Sequence, residues 1–141
     1  MQVVLALDAG TTSVRTLAVS SSGEIIAISQ KEFSQIYPEP GLIEHDPEEI
    51  WRAAAKTLKE VSQQVEQMGY EVASIGITNQ RETAIIWDHA SGKPLHNAIV
   101  WQDRRTAERC QELTREGHLN EIRSKTGLVL DPYFSASKFE W

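Results

Sequence analysis

A chain of 141 residues, 40% hydrophobic and 24% charged, has the composition of a soluble globular protein and enough length to bury a core. A formal net charge of −6 repels phosphate backbones and anionic lipid, which argues against nucleic-acid or membrane binding as the main role. The one cysteine, Cys110, cannot form an internal disulfide, and the apolar start MQVVLALDAG has neither the basic flank of a leader nor the length of a membrane span, so the cytoplasm is the expected compartment.

The elements follow in chain order. Val3 to Leu7 is a continuous apolar run that predicts a buried strand ended by Gly10. Val14 to Val19 and Glu24 to Ser29 predict two more, and the short turns between them predict an antiparallel meander. After the Pro- and Gly-containing stretch YPEPGLIEHD, Asp46 as N-cap, Pro47 at the first helical position and Glu49 as capping-box partner announce a helix. Ile50, Ala54, Leu58, Val61 and Val65 continue it at helical spacing, Trp51 is read as core, and Gly69 ends it. Val72 to Ile77 predicts a buried strand, Thr83 to Trp87 another, DHASGKP a turn and Asn97 to Trp101 a short strand. Thr106 to Arg115 and Asn120 to Lys125 predict helices stopped by Gly117 and Gly127, with Asp103 as the cap of the first and the arginines beside it on a solvated face. Asp131 followed by Pro132 predicts a last helix start. The order β-β-β-α-β with an irregular α/β tail is not the alternation of a doubly wound sheet. The aromatic-rich end suggests one piece of a larger protein.

Two stretches carry chemistry. In LALDAGTTSVR, a tight turn would present backbone N–H groups and the hydroxyls of Thr11, Thr12 and Ser13 to an anion, with Gly10 permitting close approach and Arg15 adding charge. Asp8 at the rim could hold a hydrated Mg²⁺. On composition alone an ordinary β-turn is the simpler reading. The second stretch is GITNQRET, where Asn79, Gln80, Arg81 and Glu82 follow a strand. Arg is a fork of donors and ionised Glu a pure acceptor, so Arg81 and Glu82 suit the hydroxyls of a polyol, with Trp101 and Phe134 as an apolar wall and Tyr133 as a further hydroxyl contact. The competing reading is a solvated turn with a weak surface ion pair, though the segment lacks the Gly or Pro of a good turn. The four histidines show no ligand spacing, and Cys110 stands in a helix as a structural thiol.

Taken together, DAGTTSVR, QIYPEPGLIEHDPEEIW, GITNQRET, NAIVWQDRRT and TGLVLDPYFSASK resemble, in order and over nearly the whole chain, the FGGY carbohydrate kinases of the actin–hexokinase superfold. The likeness is strongest to members that act on glycerol. It implies an α/β, ribonuclease H-like and actin-like N-terminal domain, with a mixed sheet that starts in a three-stranded antiparallel meander and is flanked by helices. Residues 1–141 would form an incomplete part of that domain. It implies ATP and Mg²⁺ as cofactors and phosphoryl transfer to glycerol, giving sn-glycerol 3-phosphate. It assigns Arg81, Glu82 and Tyr133 to contact with glycerol and Trp101 to packing against it. Gly10, Thr11, Thr12, Ser13 and Arg15 would serve the nucleotide phosphates. The family's base, an aspartate in a Gly-Asp-Gln-type motif, has no counterpart here, so no catalytic residue is assigned and the fragment alone is expected to be inactive. The resemblance also implies a homo-oligomer, dimer or tetramer, for the full-length protein. Ala9 and Val14 depart from the Gln and Ser common at those places. Other readings are a different polyol or sugar kinase of the family, or a truncated, non-catalytic binding module.

Overall fold

The computed structural model describes all 141 residues. Its elements in chain order are β1 (Gln2–Ala9), β2 (Ser13–Ser20), β3 (Ile25–Glu32), β4 (Glu44–His45), α1 (Pro47–Gln67), β5 (Glu71–Asn79), β6 (Ala98–Ile99), α2 (Ala107–Arg115), α3 (Leu119–Thr126) and α4 (Ser135–Glu140). The chain divides into two compact units. The first comprises Met1–Ser34 and Asp46–Gln80, the second Gln35–His45 and Arg81–Trp141.

The first unit is a four-stranded sheet in the order β3-β2-β1-β5 with α1 packed on it, mainly against β2 and β3. The meander is as predicted: β1 pairs antiparallel with β2 and β2 with β3. β5 returns parallel to β1, which places the ends of both strands, Ala9 and Asn79, side by side. The strands are buried on one face only. Val3, Leu5 and Leu7 point inward, as do Val14, Thr16 and Ala18, whereas Val4 between them is exposed, so the continuous apolar run of β1 is not a doubly covered strand.

The α1 helix supplies Ala53, Ala54, Thr57, Val61 and Val65 to this core. Its buried stripe recurs at three- and four-residue spacing, which leaves Trp51 off the stripe and 67% exposed, contrary to its reading as core. Thr16 Oγ1 donates to Thr57 Oγ1 (2.9 Å), which donates to the Ala54 carbonyl (3.2 Å), so the two buried hydroxyls satisfy each other inside the apolar layer. Asp46 caps the helix through Oδ1, accepting from Glu48 N–H at 2.8 Å. The capping box does not close. The Glu49 carboxylate accepts from Ser34 N–H (2.8 Å) and Ser34 Oγ (3.3 Å), tying the end of the β3 segment to the first turn. At the other end Gly69, at φ 78°, donates to the Glu66 carbonyl and Tyr70 donates to that of Val65, the paired bonds of a Schellman cap.

β5 is exposed at every position, with Ile77 at 73%, and the expectation of a buried strand is overturned. β5 is the edge of the sheet, and α1 lies over β2 and β3 rather than over it.

The second unit is built on short pairings and one buried charge cluster. β4 and β6 pair antiparallel, and Ala84 bridges Ile99. Thr83 to Trp87 makes isolated bridges rather than the predicted strand, because its backbone meets Ile99 and Pro94 at single points only. Asp103, predicted as a helix cap, is instead 1% exposed and accepts from Ile43 N–H at 2.7 Å, while α2 begins at Ala107 with Thr106 at its N-cap position and no side-chain cap. Arg105, placed by the sequence on a solvated face, is buried with it. Its guanidinium donates to Asp103 Oδ1 (2.9 Å) and Glu44 Oε1 (2.6 Å) and lies 4.7 Å from the ring centre of Trp141. Only Arg104 is on the surface, paired with Asp131 at 3.4 Å. Asn97 Nδ2 donates to the other oxygen of Glu44 at 2.9 Å.

Burial raises the carboxyls of Glu44 and Asp103, but hydrogen bonds outweigh it. Arg105 and Asn97 hold Glu44 below its ordinary value of 4.5, and Arg105 with two backbone N–H groups holds Asp103 below 3.8. Because these pKa values are depressed in the fold, the cluster stabilises the protein fully above those ordinary values and loses that contribution as pH falls through the folded-state values. Arg105→Ala leaves two carboxylates buried without their cation and should cost about 3–5 kcal/mol. Urea unfolding at neutral pH checks the loss, and a repeat near pH 3 should show a smaller difference between wild type and variant. An equal difference at both pH values would contradict the pairing.

Candidate active site

The loop after β1 opens with Gly10, whose N–H donates to the Ser13 carbonyl at 3.0 Å and closes the turn. That N–H is therefore used within the turn and is not one of the donors left for an anion. A Cβ at Gly10 would stand 3.1 Å from the Ser13 carbonyl oxygen, closer than ordinary contact, so glycine is what lets the turn close this tightly, and the space such a Cβ would fill lies 3.9 Å from Asp8 Oδ1. The loop is anchored at its base by Gln80 N–H donating to the Ala9 carbonyl (2.8 Å). Thr12 is exposed, and Thr11 and Ser13 are half-buried. Ser13 Oγ accepts from Gln30 Nε2 at 2.9 Å and keeps its own hydrogen to donate. Arg15 is exposed and stands opposite Asp8 in the β1–β2 register. The structure thus brings Asp8, Gly10, Thr11, Thr12, Ser13 and Arg15 to one hairpin.

The second unit gathers the other candidates. Arg81 and Glu82 lie on a turn, and Glu82 is the one non-glycine residue with positive φ, 66°. A glutamate in the left-handed region is unfavourable by about 1 kcal/mol or more and persists only where its surroundings hold it. Two groups do so. Glu82 Oε2 accepts from Ser135 N–H (3.0 Å) and Ser135 Oγ (2.9 Å), and the Glu82 carbonyl accepts from Lys138 Nζ (3.1 Å). Arg81 is exposed.

The aromatic residues form a run of edge contacts. Trp101 meets Tyr133 with ring centres 5.5 Å apart, and Tyr133 meets Phe134 at 5.1 Å. Trp101 N–H of the backbone donates to Thr83 Oγ1 at 3.3 Å, which links this wall to the residue after Glu82. Tyr133 and Phe134 precede α4 in a turn organised by Asp131. Its Oδ1 accepts from Tyr133 N–H (2.8 Å) and its carbonyl from Phe134 N–H (3.1 Å). Asp131 therefore shapes the turn through Pro132 and Tyr133 and does not cap α4, whose N-cap position is the extended residue Phe134. The turn that carries the Glu82 carboxylate and the aromatic run lie in one unit, joined through Thr83 and Ser135, and such a pairing of an acceptor with an apolar wall suits a small molecule that is polar at its edges and apolar along its carbons.

Sequence reasoning took Tyr133 and Phe134 from DPYFSASK and missed Ser135 and Lys138. The available signal was a lysine three residues after a serine, at helical spacing, within an aromatic stretch.

Residues 3–141 match the FGGY family of carbohydrate kinases, N-terminal domain. The chain is 55% identical over 138 residues to a glycerol kinase of Enterobacter sp. (strain 638) and 56% identical over 140 residues to that of Chromobacterium violaceum, covering 98% and 99% of this chain. It spans 28% of the length of those relatives. Its fold superposes on Plasmodium falciparum glycerol kinase with ADP at a TM-score of 0.92 and 40% identity, over 100% of this chain and 28% of that one. A ligand-bound xylulose kinase from Lactobacillus acidophilus, 23% identical and with 28% of its chain covered, shares the fold at a TM-score of 0.91 over 100% of this chain.

The left-handed backbone at Glu82 has a direct test. Glu82→Gly and Glu82→Ala remove the same carboxylate, but only alanine carries the left-handed penalty, so the glycine variant should be the more stable by about 1 kcal/mol in urea unfolding. Equal stabilities would contradict the conformation.

Proposed function

The chain belongs to the FGGY family of carbohydrate kinases, matching its N-terminal domain over residues 3–141, and on that premise we propose that it is the N-terminal portion of an ATP-dependent glycerol kinase. The observation that carries the reading is the Glu82 turn, with one carboxylate oxygen bound to Ser135 and the aromatic run of Trp101, Tyr133 and Phe134 in the same unit. Glu82 Oε1 accepts from one hydroxyl of glycerol, Arg81 donates to a neighbouring one, and Tyr133 offers a third contact. Trp101 and Phe134 cover the carbon chain. A site whose polar groups need matching hydroxyls discriminates strongly against substrates that lack them. Relatives 54–56% identical are named glycerol kinase, whereas the xylulose and gluconate kinases of like fold are 23–26% identical, which favours glycerol over another sugar or polyol.

In the reaction a glycerol hydroxyl oxygen bonds to the γ-phosphorus of ATP, the bond from that phosphorus to the β–γ bridging oxygen breaks, and ADP leaves with the electron pair. Products are sn-glycerol 3-phosphate and ADP. The hydroxyl proton passes to a base that none of these 141 residues is assigned to supply. Thr11, Thr12, Ser13 and Arg15 would orient phosphate oxygens, and Gly10 closes the turn that carries them. Asp8 fits Mg²⁺ held through its waters. It is a single carboxylate 3.9 Å from the space that a Cβ at Gly10 would fill, and one carboxylate suits an ion that keeps most of its waters. Bound there, the ion would offset phosphate charge. The full-length protein acts in the cytoplasm, as a homo-oligomer, without nucleic acid or membrane as partner. No helix is long and apolar enough to cross a membrane.

Glycerol-dependent ADP release from Mg–ATP tests the reading. The full-length protein carrying these residues should turn over glycerol and the 141-residue chain alone should not. Arg81→Ala in the full-length protein should lower kcat/KM for glycerol by about 10- to 100-fold through loss of a charged hydrogen bond. Turnover by the isolated chain would refute the assignment of the base elsewhere, and full activity of Arg81→Ala would refute the clamp.

A further inference from the structure

Lys138 is 4% exposed in a unit whose other buried charges are paired with one another. It makes no ion pair within 4.0 Å. Its Nζ donates to three backbone carbonyls: Tyr133 at 2.7 Å, Glu82 at 3.1 Å and Phe134 at 3.5 Å. An ammonium has three hydrogens, and three neutral acceptors use them all. Such a cation is costly to bury, and burial indeed lowers its pKa, against the raising influence of Glu82, Asp103, Asp131 and Cys110. A residue serving only to fill space would be apolar.

The choice of carbonyls is informative. They belong to Glu82, Tyr133 and Phe134, three of the residues proposed to touch the ligand. Ser135 and Lys138 are three apart on α4 and so share a face. That one face grips Glu82 at both ends, the serine at the carboxylate and the lysine at the carbonyl, and thereby holds its backbone at φ 66°. We propose that Lys138 is a positioning residue of the polyol site, clamping the backbone of Glu82, Tyr133 and Phe134 so that the carboxylate and the aromatic pair present themselves to one ligand. This rests on the glycerol reading above for the identity of the ligand, not for the existence of the clamp.

The test uses the full-length protein with Lys138→Met, which keeps the aliphatic packing, and Lys138→Ala, which leaves room for propylammonium. The KM for glycerol should rise about 10- to 100-fold in both variants, as for a lost charge-assisted hydrogen bond, while that for ATP stays at its wild-type value. Propylammonium should restore the glycerol KM of the alanine variant and leave that of the methionine variant raised. A parallel rise in both KM values, or an unchanged glycerol KM with only a lower Tm, overturns the proposal. If wild type does not turn over glycerol, the substrate reading falls by itself. The clamp is then judged on the near-UV circular dichroism of the Trp101–Tyr133–Phe134 run. Loss of that signal in Lys138→Ala with return on propylammonium upholds it, and an unchanged spectrum overturns it.

Discussion

A glutamate backbone held in the left-handed region is the constraint around which the candidate polyol site is organised. Left to itself, Glu82 would relax to a common conformation and turn its carboxylate elsewhere. It stays because α4 grips it twice, at Oε2 through Ser135 and at its carbonyl through Lys138. The same lysine reaches the carbonyls of Tyr133 and Phe134, so one ammonium ties the Glu82 turn to the backbone that carries the two aromatic rings. Strain kept at such a place, with polar groups arranged around it, is the kind that substrate sites retain.

A buried charge cluster organises the short elements of the same unit. Glu44 from β4 and Asp103 with Arg105 before α2 form a buried set of charges, joined by the neutral amide of Asn97 beside β6, in which every partner is satisfied. Elements of two residues, such as β4 and β6, have little stability of their own. The cluster fixes where they meet, and Trp141 closes it over the guanidinium of Arg105. In the first unit the corresponding role falls to apolar packing between α1 and the meander, with the Thr16–Thr57 pair as its one polar contact among fully buried side chains.

Most of the first unit was legible in the sequence because its signals are local. Turn clusters separate three strands, Asp46 and Pro47 start α1, and Gly69 ends it. What was not legible depended on distant partners. Whether Val72 to Ile77 is buried depends on where α1 crosses the sheet. Glu49 had a capping-box position and chose Ser34, which is far away in sequence. Asp103 carries every local mark of a cap, yet its partners are Ile43 and Arg105, and only the fold brings Ile43 near. In the candidate site, Arg81, Glu82, Trp101, Tyr133 and Phe134 came from side-chain chemistry and family resemblance. Lys138 did not, since a buried lysine bound to carbonyls looks like any helical lysine in a sequence.

The proposed polyol site depends on the Arg81–Glu82 turn reading hydroxyl groups. The most direct measurement compares kcat/KM of the full-length protein for glycerol, 1,2-propanediol and 1,3-propanediol. Each diol lacks one hydroxyl and leaves a polar group of the site without its partner. Glycerol should exceed both by at least about 100-fold, the discrimination imposed by a site whose polar groups each need a matching hydroxyl. Comparable values for the three substrates would contradict it.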